Sequence, residues 1–110
     1  MKALGVKIAY YPGFCLLVLR GDLEELSAPI LSLVVEEALE HSSRIVVDAA
    51  NLDSCDYQGT ALLAAMHRRA EVAGGGLSLA FAHGSLKRLL EFDRRNGSGP
   101  GTELVTTLDW

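Results

Sequence analysis

The segment from Arg44 to Leu63 constrains this chain more than any other. The apolar run Ile45-Val46-Val47 ends in Asp48. A short polar interval follows, and Asp56-Tyr57-Gln58-Gly59 then opens a pattern in which Leu62, Leu63, Met66 and Ala70 recur at helical spacing. A buried strand that delivers an acidic turn and a glycine to a helix N-terminus belongs to an α/β arrangement. It is also a common way of presenting a recognition surface.

The elements on either side agree with that reading. Val6–Tyr10 is predicted as a first strand, and Pro12-Gly13 as a turn into a second, Phe14–Leu19. The consecutive apolar residues of the second strand predict cover on both of its faces. Leu31, Val34, Val35 and Ala38 then recur at helical spacing opposite Ser32, Glu36, Glu37 and Glu40. Ser27 is placed to cap this helix and Pro29 fits its first turn. After the strand Ile45–Asp48, a helix from about Gly59 to Ala73 is ended by Gly74-Gly75-Gly76. Leu77, Leu79 and Phe81 alternate with Ser78, Ala80 and Ala82 as a strand, and Ser85 is placed to cap a short helix with Leu86, Leu89 and Leu90 inside. Asn96 to Gly101 reads as a loop and Leu104–Leu108 as an edge strand. Right-handed crossovers make the strands flanking the first two helices parallel. The expected fold is therefore a single α/β domain over residues 1–110, a mixed four- to five-stranded sheet with helices mainly on one face. Its loops after strands two, three and four would share a rim holding Glu24, Asp56 and His83.

Composition narrows the function. With 49% hydrophobic and 22% charged residues the balance is that of a globular domain. A net charge of -4 disfavours nucleic acid or an anionic membrane as the main partner, since both need a basic footprint. Cys15 and Cys55 read as reduced, small apolar residues rather than a disulfide framework. No apolar run reaches the ~20 residues of a membrane span, and the N-terminus lacks an apolar core of signal-peptide length, so the expected compartment is cytoplasmic.

Chemistry is hard to find in the chain. His41, His67 and His83 have no pairing four residues apart and no cysteine cluster beside them, so they read as surface or helix-end residues rather than metal ligands. His67-Arg68-Arg69 reads as the solvated face of a helix. Ser54-Cys55-Asp56 is not a nucleophile elbow. Gly97-Ser98-Gly99-Pro100-Gly101 lacks the Lys-Ser/Thr ending of a phosphate loop. No enzyme, metal or cofactor is expected.

The strand-to-helix segment has a bland reading, in which Asp56 caps the helix and Gly59 lets its first turn pack closely. It also has a more specific one. Asp48, Leu52, Asp56 and Gly59 fall where the STAS domains, the family of the anti-sigma factor antagonists, carry an Asp-Ser-Ser-Gly signature. Arg20-Gly21-Asp22-Leu23-Glu24, followed by Ser27-Ala28-Pro29, resembles the family's Gly-x-Leu-Asp element, with Glu24 where aspartate is usual. Ala73-Gly74-Gly75-Gly76-Leu77-Ser78-Leu79 and Leu86-Lys87-Arg88-Leu89-Leu90-Glu91 resemble its next helix end, strand and third helix. The matches cover roughly residues 14–92 in order, and residues 92–110 match poorly.

That resemblance implies a partner as well as a fold. Family members bind a kinase-type anti-sigma factor, which frees a sigma factor, and phosphorylation of the serine after the aspartate breaks the complex. Added phosphate charge beside carboxylates such as Asp56 accounts for the release. In this chain Tyr57 stands at the phosphoserine position, so the switch residue is missing. The resemblance points to Glu24, Asp56, Tyr57, Gln58, Gly59 and Thr60 as the partner-binding residues of a monomer or weak homodimer. Two other roles occur among such domains: an accessory subunit of a bacterial lipid ABC transporter, and a module sensing a nucleotide or small ligand at the same rim.

Overall fold

The computed structural model describes residues 2–95. The loop and edge strand expected between Asn96 and Leu108 lie outside the described residues. In chain order the elements are β1 (Gly5–Tyr11), β2 (Phe14–Leu23), α1 (Ala28–Leu39), β3 (Arg44–Cys55), α2 (Tyr57–Val72), β4 (Gly76–Ala80) and α3 (Gly84–Arg95). They form one sheet in the order β1-β2-β3-β4, in which β1 is antiparallel to β2 while β2, β3 and β4 run parallel. The expected α/β class, the mixed sheet and the parallel strands around the first two helices all hold.

The helices cover one face. Along β2, Cys15, Leu17, Leu19 and Leu23 are buried while Leu16 and Val18 are only half-buried. Cover on both faces, as the apolar run predicted, is therefore not what the strand has. Its apolar residues on the open side instead lie beside others in the sheet, Leu16 opposite Ala9 and Val46. The buried face packs Leu17, Leu19, Ile45, Val47, Leu77 and Leu79 against Leu31 and Val35 of α1, Leu63 and Ala70 of α2, and Leu86 and Leu90 of α3. Removing such side chains from water contributes about 1.5–3 kcal/mol each.

His67 departs from the surface placement expected of it. It is 7% exposed, and its Nδ1 accepts a hydrogen bond of 3.0 Å from the Leu77 backbone N–H. The polarity of the neighbouring Arg68 and Arg69 hides it in the sequence, yet it sits one turn from the buried Leu63 on the inward face of α2. Arg69 reaches α1 instead, where its guanidinium holds the Glu36 carboxylate through two bonds, one of 2.6 Å.

The largest difference concerns β3, which continues past Asp48 to Cys55. Two register irregularities, between Val18 and Arg20 and between Gly21 and Asp22 of β2, let extra residues of β3 enter the parallel pairing. Because β4 pairs only with Arg44–Asp48, the second half of β3 projects beyond it. The segment after β4 covers that projection: Ser85 Oγ accepts from the Cys55 N–H at 2.8 Å, and His83 Nε2 lies 3.1 Å from the Ala50 carbonyl. Ser85 is thus committed to β3, not to the helix cap assigned to it from sequence.

Candidate partner-binding rim

The projecting half of β3 and the end of β2 bring the predicted residues together. The Asp56 N–H donates to the Leu23 carbonyl at 3.1 Å, so the last residues of the two strands are joined where both chains leave the sheet. Asp56 itself is extended, with φ -91° and ψ 179°, as a residue preceding a helix should be. One carboxylate oxygen accepts from the Gly59 N–H at 2.8 Å, capping α2. The other accepts from the Glu25 N–H at 3.3 Å, tying the loop after β2 to the loop after β3. One oxygen thus caps the helix, and the other joins the two connections.

Gly59 is required by space. A Cβ at this position would lie 2.7 Å from the Leu23 carbonyl oxygen and 2.9 Å from Cys55 Sγ, so any side chain would push α2 off the sheet. Thr60 is 1% exposed, and its hydroxyl donates to the Asp56 carbonyl at 3.2 Å. These two predicted residues support the rim from beneath, whereas Asp56, Tyr57 and Gln58 are exposed and Glu24 is half-buried. Tyr57, at the first position of α2, presents 58% of its surface to solvent. Burial under this turn pushes the Cys55 thiol up to about 11, which keeps it protonated and unreactive at neutral pH.

The loop after β2 has its own logic. Ser27 stands at the N-cap position of α1 as expected, but its hydroxyl makes no capping bond: Oγ accepts from the Glu24 N–H at 3.0 Å and donates to the Asp22 carbonyl at 2.9 Å, holding the turn rather than the helix. Pro29 does occupy the first helical turn. Gly21 has φ +94°, and a Cβ there would stand 2.1 Å from the Ala3 carbonyl oxygen. The N-terminal residues therefore lie against it, with the Lys2 N–H donating to Asp22 Oδ2 at 2.8 Å. That bond, and next the 2.8 Å bond from the Ser54 hydroxyl, hold the Asp22 carboxyl below the usual carboxylate range.

Charge and apolar surface meet on this edge. Asp22 and Asp53 lie near the ends of β2 and β3, Glu24 and Glu25 in the loop after β2 and Asp56 at the turn into α2, and Lys2 is paired there with Asp53 at 3.2 Å. Three large apolar side chains are exposed where the chain leaves β2, β3 and β4: Leu26 at 80%, Tyr57 at 58% and Phe81 at 69%. Phe81 has φ +60°, a conformation costly for a bulky residue. Sequence reasoning placed Phe81 inside a strand and missed it, because its alternation with Leu77 and Leu79 continues the strand pattern one residue too far. Leu26 gave no signal beyond its place in an acidic loop. His83 joins the edge through its contact with Ala50. Among the described residues no group of histidine, cysteine or carboxylate side chains is arranged to hold a metal.

Comparison with known proteins gives three kinds of result. The family model described as Mlab, STAS domain, matches residues 13–96. No curated protein sequence matches the chain. Among solved structures, an anti-sigma factor antagonist from Mycobacterium paratuberculosis superposes with a TM-score of 0.74 at 13% identity, over 87% of this chain and 82% of that one. The Bacillus cell fate determinant SpoIIAA in its phosphorylated form gives 0.68 at 18% identity, over 91% and 86%. The anti-sigma factor antagonist SpoIIAA in its unphosphorylated form gives 0.66 at 16%, over 82% and 83%. At such identities the likeness is one of fold.

Proposed function

This chain belongs to the STAS domain family, and from that premise we propose that it is a non-enzymatic, cytoplasmic protein-interaction module acting as an anti-sigma factor antagonist does. Its partner is a kinase-type anti-sigma factor. The contact surface is the rim of Glu24, Asp56, Tyr57 and Gln58, with Gly59 and Thr60 shaping it from below. The observation that carries the reading is the pair of bonds made by the Asp56 carboxylate, which fixes two acidic loops as one surface with Tyr57 exposed beside them. A fixed acidic surface favours a basic partner face and costs little ordering on binding.

Tyr57 shapes the regulation. A serine kinase positions a short hydroxyl near the backbone, and neither Tyr57 nor Gln58 offers one. The complex is accordingly not released by phosphorylation at the family's usual position. The same absence favours a second reading, an accessory subunit buttressing an ABC ATPase, since such a support needs no phosphorylation switch.

Calorimetric titration separates the two. Gln58→Lys places a positive charge on the rim without touching the Asp56 bonds. It is expected to weaken binding to a kinase-type anti-sigma factor by more than about 1 kcal/mol. Unchanged affinity would remove the rim from the interface, and binding to an ABC ATPase in place of the kinase would establish the second reading.

A further inference from the structure

The outward side of α1 carries an apolar stripe that the sheet does not use. Leu26, Ile30 and Leu33 are 80%, 47% and 74% exposed, while Leu31, Val35 and Ala38 on the inward side are buried. The spacing of the exposed three is that of one helical face. Leu26 precedes α1, but the Ala28 N–H donates to the Glu24 carbonyl at 2.8 Å, so its turn already follows the helical path. The stripe therefore begins at the rim, one residue after Glu25, whose N–H is held by Asp56. Glu25, Glu37 and Glu40 are exposed on the same segment, and Glu36 is already engaged by Arg69.

We infer that this stripe is a second docking surface, continuous with the rim, and that it takes an amphipathic helix of the partner whose apolar face is bordered by lysine or arginine. A ridge of side chains at helical spacing is matched in pitch by another helix, which can interdigitate with it. The exposed carboxylates specify the basic residues, Glu25 beside the stripe and Glu37 and Glu40 continuing its line four and seven residues beyond Leu33. They also argue against a second copy of this chain, which would set glutamates against glutamates. Area points the same way, because three side chains fall well short of the roughly 800 Å² per partner of a stable interface. The stripe adds to a contact made elsewhere and does not sustain a dimer alone. The inference rests on the reading of this chain as a protein-binding module, though not on the identity of the partner.

An NMR amide-shift titration tests it with defined synthetic peptides of about five helical turns, ~18 residues. The first carries leucine at helical spacing with lysine elsewhere, the second replaces lysine by glutamate, and the third shuffles the first. The leucine–lysine peptide is expected to shift amides of Glu25 to Glu37. Its affinity should fall about tenfold or more with Leu33→Lys, and also with Ile30→Ser. Both are exposed positions where the fold does not depend on the side chain, and Arg44→Ala, at the start of β3 and away from the rim, should leave the affinity unchanged. The glutamate and shuffled peptides are expected to bind at least about tenfold more weakly. Equal binding of the shuffled peptide, shifts centred on Leu16 and Val46 of the open sheet face, or insensitivity to both variants would overturn the assignment. So would a dimer in sedimentation that Leu33→Lys converts to monomer. No rim substitution enters this test, so its failure leaves the rim proposal standing, and loss of the rim proposal leaves this result intact.

Discussion

Tyr57 shows how much can depend on one side chain. It occupies the first position of α2 with more than half of its surface exposed, so nothing about access excludes modification. Reach does. A tyrosine hydroxyl lies ~6 Å from its own Cα, far beyond where a serine hydroxyl would be. The wild-type chain is therefore expected to take no phosphate at residues 57 or 58 from a cognate serine kinase, and Tyr57→Ser to become an acceptor. The Thr60 hydroxyl is buried on the Asp56 carbonyl, and the exposed Ser54, two residues before Asp56, has its hydroxyl engaged by Asp22 Oδ1 at 2.8 Å. Intact mass after incubation with kinase and ATP, followed by peptide mapping, reads the result. Stoichiometric phosphate on Ser54 or Tyr57 of the wild-type chain would mean a relocated switch.

At the scale of elements, the junction of β3 and α2 depends on a single cap. Asp56→Ala removes both carboxylate bonds and leaves the Gly59 and Glu25 N–H groups to water. It is expected to lower stability by about 1 kcal/mol. Asp56→Asn keeps a capping oxygen and should lose only a few tenths, approximately. Chemical denaturation of the two variants checks this, and equal losses would show that the charge matters more than the cap. This junction was legible in the sequence because each of its parts is local: an apolar run, a capping residue, a glycine and a helical period. The course of β3 beyond Asp48 was not. Ala49-Ala50-Asn51 break the alternation; Asn51 pairs with Arg20 beyond the first irregularity, while the Ala50 N–H donates to Asp48 Oδ1 and the Ala50 carbonyl meets His83. The bonds of Ser27 and Ser85 were misread for a related reason. Each residue has the sequence context of a cap, yet its hydroxyl serves a partner fixed by tertiary placement, Glu24 for one and Cys55 for the other. One-faced cover of β2 was equally hidden, since an apolar residue on an open face looks the same in sequence as one in a core.

For the whole molecule, the distribution of charge sets how the fold responds to acid. Two carboxyls outside the cap are held below their ordinary range, Asp22 chiefly by the Lys2 N–H and Glu36 chiefly by its hydrogen bonds from Arg69. The first fastens the N-terminal residues over Gly21 beside the rim, and the second joins α1 to α2. The sign follows from proton counting. The unfolded chain binds protons at these groups more readily than the folded one, so stability rises with pH through their titration. Their contribution is fully present above the ordinary carboxylate values, about pH 4, and is lost as pH falls through the depressed ones. Both groups are at the surface, so each effect is small and screened by salt. Combining Asp22→Asn with Glu36→Gln is therefore expected to lower stability at neutral pH and to flatten the loss below pH 4, approximately, the two curves converging in acid. Urea unfolding midpoints measured across that range at low salt provide the check. Parallel curves, separated by the same amount at every pH, would show that the two fastenings act through packing and not through charge. In that case the union of the N-terminal residues, the rim and the helix pair would owe nothing to ionisation.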